Sequence, residues 1–216
     1  MFPKLILLDF DGVIVESVRI KDEAFEKLYQ NYPQKLPQIM SYHLSKNATI
    51  RFIKFRYIAE NILNEPYNKQ KEIELSKQFS DLVFDGILEC PYVEGAIEFL
   101  ELFYSKIPLY LISISPEDEL QKILKLRDLI KYFKGVYSNP PTKSQVFTEI
   151  LADEGLESSD ALFIGDSNED FLAAEKVGIH FIGRKSSKSF SKKVSHVCSN
   201  MREVKDLVNF MGKNVN

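Results

Sequence analysis

Two aspartates separated by one residue, Asp9 and Asp11, follow the apolar run Leu5-Ile6-Leu7-Leu8 and precede Gly12. Carboxylates this close repel each other unless a cation lies between them or they divide the work of nucleophile and acid. If the run is a strand that persists through Asp11, both side chains point to one face. Gly12 allows a sharp turn and brings backbone N–H groups near an anion. Taken alone, the same four residues also serve as a polar strand end entering a turn. A second acidic group, Asp166 and Asp170, follows Ala161-Leu162-Phe163-Ile164-Gly165. Its members are four apart, one face if the intervening turn is helical. Together the two groups make an oxygen-rich set of the kind that holds magnesium.

Two further positions complete the set. Ser113 closes the apolar run Leu109-Tyr110-Leu111-Ile112, where a hydroxyl and a backbone N–H can hold phosphate oxygens. Ser115, directly before Pro116, fits better as a helix N-cap with proline at the first helical position, and Asn168 also fits a cap. Lys143 follows the rigid segment Asn139-Pro140-Pro141-Thr142. A lone lysine there is ordinarily solvated. Its interest comes from the carboxylates, which need a fixed positive charge beside any metal before they can meet a phosphate.

The elements that must position these groups alternate. Strands are expected at 4–10, 107–114, 135–137, 161–164, 179–182 and 196–197, with helices at 93–103, 117–126, 143–151, 169–176 and 201–210. Short apolar strands spaced by helices predict an α/β fold, a Rossmann-like parallel sheet with helices on both faces. Between Glu16 and Leu88 the alternation stops and helices alone are expected, at 20–29, 49–63 and 69–84, with a break near Pro33 and Pro37. Residues 1–15 and 89–216 therefore read as the α/β core, and 16–88 as a helical subdomain inserted after the first strand. Segment 85–91, with Gly86 and Pro91, has the turn formers of a hinge. The Ser/Lys-rich segment 185–193 reads as a solvated connection.

In order, these segments resemble the haloacid-dehalogenase-like hydrolases, and more narrowly their phosphoglycolate-phosphatase-like branch. The family's Asp-x-Asp-Gly motif is matched by Asp9-Phe10-Asp11-Gly12, its strand ending in Ser or Thr by Ser113, its lysine by Lys143, and its last acidic motif by Gly165 to Asp170. The likeness spans nearly all of Leu5 to Gly183. It implies a magnesium-dependent phosphomonoester hydrolase in which Asp9 is the nucleophile and Asp11 the general acid and base. It implies that Asp9, the carbonyl of Asp11 and Asp166 hold Mg2+, with Asp170 a direct or indirect partner. Phosphate would be bound by Ser113, Lys143 and Gly12, and the helical insertion would be a small cap that chooses the substrate. An aspartate at position 11 speaks against carbon–halogen cleavage. A sugar-phosphate mutase, or a non-catalytic phosphometabolite-binding protein, is the alternative. A departure from the family is Glu16 where relatives often carry Asp. Among cap residues, His43, Lys46, Arg51 and Arg56 are candidates for substrate recognition, although each also fits a solvated helix surface, as do Lys21 and Lys54.

Composition narrows the partners. Of 216 residues, 28 are Lys or Arg and 31 Asp or Glu, a formal charge of -3 that argues against nucleic acid. The partner expected is a small phosphorylated metabolite; oligomeric state is not legible. The apolar run before Asp9 is too short for a signal-peptide core or a membrane span, and the two cysteines, Cys90 and Cys198, lack metal or redox spacing. A cytoplasmic protein with free thiols is expected.

Overall fold

The structure, a computed structural model, describes residues 2–46, 49–186, 190 and 194–213. The chain divides into two compact units, residues 1–16 with 90–216 and residues 17–89.

The first unit is built on a six-stranded sheet in the order β3-β2-β1-β4-β5-β6 with every pair parallel. Its strands are β1 (Leu5–Leu8), β2 (Leu109–Ser113), β3 (Gly135–Ser138), β4 (Ala161–Gly165), β5 (His180–Arg184) and β6 (Val197–Cys198). Every residue of β1, β2 and β4 is buried, as expected of central parallel strands whose sequences are apolar on both faces. One face carries α7 (Lys143–Glu154) and α8 (Asn168–Val177). There Leu5, Leu7, Ile112 and Phe163 pack with Phe147, Ile150 and Ala174. Helices α5 (Ala96–Phe103) and α9 (Met201–Lys213) pack on each other, and α9 also meets β5 and β6. Helix α6 (Glu117–Leu126) joins β2 to β3. The α/β expectation is met, and β1 sits where the strand order reverses, between β2 and β4. Ligands of open parallel sheets gather at the carboxyl ends of strands at that point.

The second unit is helical: α1 (Val18–Leu28), α2 (Leu36–Ser45), α3 (Arg51–Tyr57) running into a π-helical segment at Ile58–Leu63, and α4 (Lys69–Glu89). Two expectations are corrected here. Where a break is expected near Pro33 and Pro37, helix α2 begins at Leu36. Pro37 instead stands in the first turn, where a missing N–H costs nothing. In segment 85–91, expected as a hinge, Gly86 makes no turn, since α4 runs through it to Glu89, and the boundary between the two units falls at Glu89 and Cys90. Gly86 is there for close approach rather than for turning, since a Cβ at this position would lie 2.9 Å from Ile20 Cγ2 on α1.

Elsewhere the expected elements are present with ends moved by a few residues. Helix α5 begins at Ala96, not Val93, because Gly95 at φ 82° interrupts the approach. Of the segment 185–193, residues 187–189 and 191–193 lie outside the described residues. Among the described residues no helix is long and apolar enough to cross a membrane.

Candidate active site

Three strand ends supply the site. Asp9 directly follows β1, and its N–H continues the ladder to β4 through Ile164 O at 3.0 Å. Ser113 is the last residue of β2, and Asp166 directly follows β4. The helix after β4 brings in Asp170, and Lys143, first residue of α7, reaches the same point from the side. One oxygen each of Asp9, Asp166 and Asp170 lie within 4.8 Å of one another. Lys143 Nζ stands 2.7 Å from Asp9 Oδ2 and 2.7 Å from Asp170 Oδ1. Lys143, which a lone-lysine reading would leave solvated and the carboxylates call into the site, is buried among them, with its ammonium 5.4 Å from the Phe163 ring centre.

Local chemistry explains how Asp170 is held. Ser167 caps α8, its hydroxyl accepting from the Asp170 N–H at 3.1 Å. In return Asp170 Oδ2 accepts from the N–H groups of Asp166 and Ser167, both at 3.2 Å, and from the Ser167 hydroxyl at 2.7 Å. This is a capping box with an aspartate at its third position. Both carboxylate oxygens of Asp170 are thus engaged, one by Lys143 and one by the cap. Gly165 makes room for it, since a Cβ there would fall 2.6 Å from Asp170 Cβ. The cap expected at Asn168 belongs to Ser167 instead, and Asn168 is the first residue of the helix. At α6 the helix spans Glu117–Leu126 as expected, but its N-cap is Pro116 rather than Ser115. The Ser113 hydroxyl accepts from the Ser115 N–H at 3.2 Å, which fixes it at the strand end.

Asp11 and Gly12 depart from the first expectation. The strand stops at Leu8, so the side chains of Asp9 and Asp11 do not continue a common β face; Asp11 opens a turn and bridges Val15. The Gly12 N–H donates to Val15 O at 2.8 Å, so the amide expected to meet a phosphate is spent within the turn, with φ at 74°. Its carbonyl accepts from Arg184 at 3.1 Å. Sequence reasoning missed Arg184 altogether. The available signal was a basic residue closing a buried strand opposite an unusual glutamate, Glu16.

Electrostatics follow from burial. Desolvation pushes Asp9 up to about 8; Lys143 opposes that, while Asp170, Asp166 and Asp11 add to it. Burial works against the charge on Lys143, but Asp170 and Asp9 outweigh it and hold the ammonium above the usual lysine range. A buried set of carboxylates facing one ammonium remains short of positive charge, and its hard oxygen donors suit a magnesium-like ion.

In the helical unit His43 is buried, with Nε2 3.0 Å from Asp22 and Nδ1 3.4 Å from Lys54 Nζ, and it stacks on Phe25 at 3.9 Å. Arg51 is buried too and donates to Ser80 at 2.8 Å. The solvated-surface reading is therefore wrong for His43, Arg51 and Lys54, whereas Lys46 and Arg56 are exposed.

The site is thus an acidic cluster around a buried lysine at the switch point of an open parallel sheet. The chain belongs to the haloacid dehalogenase-like hydrolases, whose family model matches residues 6–184. It is 24% identical over 185 residues to phosphoglycolate phosphatase 1 of Pseudomonas aeruginosa, covering 82% of this chain and 67% of that protein. To the phosphoglycolate phosphatase of Aliivibrio fischeri it is 24% identical over 187 residues, with 82% of each chain covered. In structure it is similar to a predicted phosphoglycolate phosphatase from Haemophilus somnus, with a TM-score of 0.75 at 15% identity, over 96% of this chain and 98% of that one. The phosphoglycolate-phosphatase-like branch suggested by the motifs is the one into which these relatives fall.

Proposed function

We propose that this enzyme is a magnesium-dependent phosphatase that hydrolyses a small phosphorylated metabolite through a phosphoaspartate on Asp9. The observation that carries the reading is Lys143 held at 2.7 Å from both Asp9 and Asp170 inside an acidic cluster. A simple binding pocket for an anion would not surround its lysine with carboxylates.

An Asp9 oxygen attacks phosphorus as the P–O bond to the leaving group breaks, and Asp11 gives its proton to the departing oxygen. Water then attacks the phosphoaspartate while Asp11 takes a proton, and the bond to Asp9 breaks, releasing phosphate. Lys143 offsets the negative charge of nucleophile and phosphoryl group, and the Ser113 hydroxyl donates to a phosphate oxygen. Magnesium would be held by Asp9, Asp166 and the Asp11 carbonyl, supplying the positive charge that lets a carboxylate approach a dianion. Because Asp170 Oδ2 already accepts three donors and Oδ1 pairs with Lys143, its part is to hold Lys143 and the 166–167 backbone rather than the ion. The helical unit is the proposed cap, on which substrate choice rests, and the curated relatives point to a two-carbon phosphoacid as the first compound to try.

The test is magnesium-dependent phosphate release across two- and three-carbon phosphoacids, sugar phosphates and nucleotides, with Asp9→Asn as control. Turnover lost on chelation and in Asp9→Asn is expected. An isomeric phosphate in place of free phosphate would make it a mutase; tight binding without turnover, unchanged by Asp9→Asn, would make it a binding protein.

A further inference from the structure

Arg184 ends β5 and is buried, yet nothing in the reaction as described uses it. Its guanidinium donates to Gly12 O at 3.1 Å and to Glu16 Oε2 at 3.0 Å, and its second terminal nitrogen bonds Glu16 Oε1. The pair with Glu16 is therefore bidentate, a geometry only arginine offers. Between the two anchors, Gly12 and Glu16, lie residues Val13 to Val15 of the turn that Asp11 opens, and Asp11 itself directly precedes Gly12. That turn is otherwise held by backbone bonds from Val13, Ile14 and Val15 to Phe10 O at 3.4, 2.9 and 3.3 Å, and by Gly12 N–H to Val15 O. Two of the three are long, and Asp11, half-buried, stands at the start of the turn.

We infer that Arg184 is a positioning residue that fixes the Asp11 turn, so that the Asp11 carboxyl delivers its proton to the leaving oxygen. This rests on the phosphatase reading above. Stability alone is a poor account of the arrangement. Burying a guanidinium carries a desolvation cost that ion pairing often only balances, and Arg184 Nε is buried with no hydrogen-bond partner among the described residues. Clamping a backbone carbonyl and a carboxylate on either side of one turn restricts geometry instead. Arg184 touches neither the acidic cluster nor Lys143 in any described bond, so removing it should leave the metal and phosphate sites in place. A lysine cannot span both anchors with a planar fork.

The experiment separates proton delivery from everything else. For a phosphoenzyme mechanism kcat/KM reports the steps through loss of the leaving group. An alkyl phosphate needs its oxygen protonated on departure, whereas the p-nitrophenolate of p-nitrophenyl phosphate leaves without help. Arg184→Met and Arg184→Lys are compared with wild type on p-nitrophenyl phosphate and on the alkyl phosphate best turned over in the panel above. The expected result is a loss of about 100-fold in kcat/KM for the alkyl phosphate with a much smaller loss for the aryl one. The magnesium concentration for half activation should be unchanged. Guanidinium chloride added to Arg184→Ala should restore part of the alkyl activity. Equal losses on both phosphates, or no loss on either, would overturn the inference while leaving the phosphatase reading intact. Wild type that releases nothing from either compound in magnesium would overturn both.

Discussion

Asp170→Asn is the substitution whose cost the structure lets one work out. Asp170 Oδ2 accepts from three donors and Oδ1 from Lys143 alone. An amide has only one oxygen. If it occupies the Oδ2 position, the cap survives and an NH2 group faces the Lys143 ammonium where a carboxylate stood at 2.7 Å. If it turns over, one charge-assisted bond is kept in altered form and three acceptor contacts are lost. The first arrangement wins, so the net loss is one buried charge-assisted hydrogen bond, about 2–3 kcal/mol. The loss stays near that value because Lys143 keeps Asp9 as a partner at 2.7 Å. Urea unfolding of the metal-free protein reads this directly. Catalysis should fall by about 10- to 100-fold, as when a group supporting a metal ligand is removed. Magnesium affinity, by calorimetry, should fall less than in Asp166→Asn, which removes a proposed ligand outright. Asp170→Asn that abolishes magnesium binding yet unfolds at the wild-type urea concentration would refute the assignment of Asp170 to holding rather than ligation.

Gly165→Ala should destabilise by roughly 1–3 kcal/mol and lower turnover, because the new methyl meets Asp170 Cβ at 2.6 Å and the box cannot yield without moving Lys143; urea unfolding and phosphate release check both. Magnesium affinity should rise with pH by up to about tenfold per unit until near pH 8 and then level off, because the ion must displace the proton on Asp9. The sign for folding is opposite. Asp9 lies above its ordinary value of 3.8, so its contribution to the stability of the metal-free protein is complete in acid below that value and is lost as pH rises through about 8, which thermal melts with and without magnesium will show as a widening gap. Cys198 is buried and its thiol is pushed up to about 11 by desolvation and Glu203, so it should resist a thiol reagent at pH 8 until the protein is unfolded.

The sheet and the placing of its acidic ends were legible because they are written locally: unbroken apolar runs such as Leu5 to Leu8, each followed by a carboxylate or hydroxyl. Lys143 was legible only through the charges it must neutralise, since its own surroundings, Pro140-Pro141-Thr142, say nothing about burial. What escaped was decided by tertiary packing. Gly86 looks like a turn former in isolation, and only the methyl of Ile20 against it reveals a helix–helix crossing. Pro37 looks like a breaker until its place in the first turn of α2 is known. His43, Arg51 and Lys54 have the spacing of surface residues, and their burial depends on aromatic neighbours, Phe25 and Phe79, from other helices. Arg184 and Glu16 are 168 positions apart, beyond the reach of any local pattern.

The helical unit is inserted where the core's own strands need it least. Val15 bridges Tyr92, and the Glu16 N–H donates to Pro91 O at 3.0 Å, so the core sees the two ends of the insertion side by side. Within the insertion, Ile20 and Gly86 bring the start of α1 against the end of α4. For β1 to meet β2, a loop of about a hundred residues must close, which is slow when the loop is unfolded chain. If the helical segment folds first on its own short-range contacts, the chain left to close is residues 9–16 and 90–108. An insertion that formed in that order would act on the nascent chain as a splint, drawing the first strand toward β2 before the second half of the sheet is made.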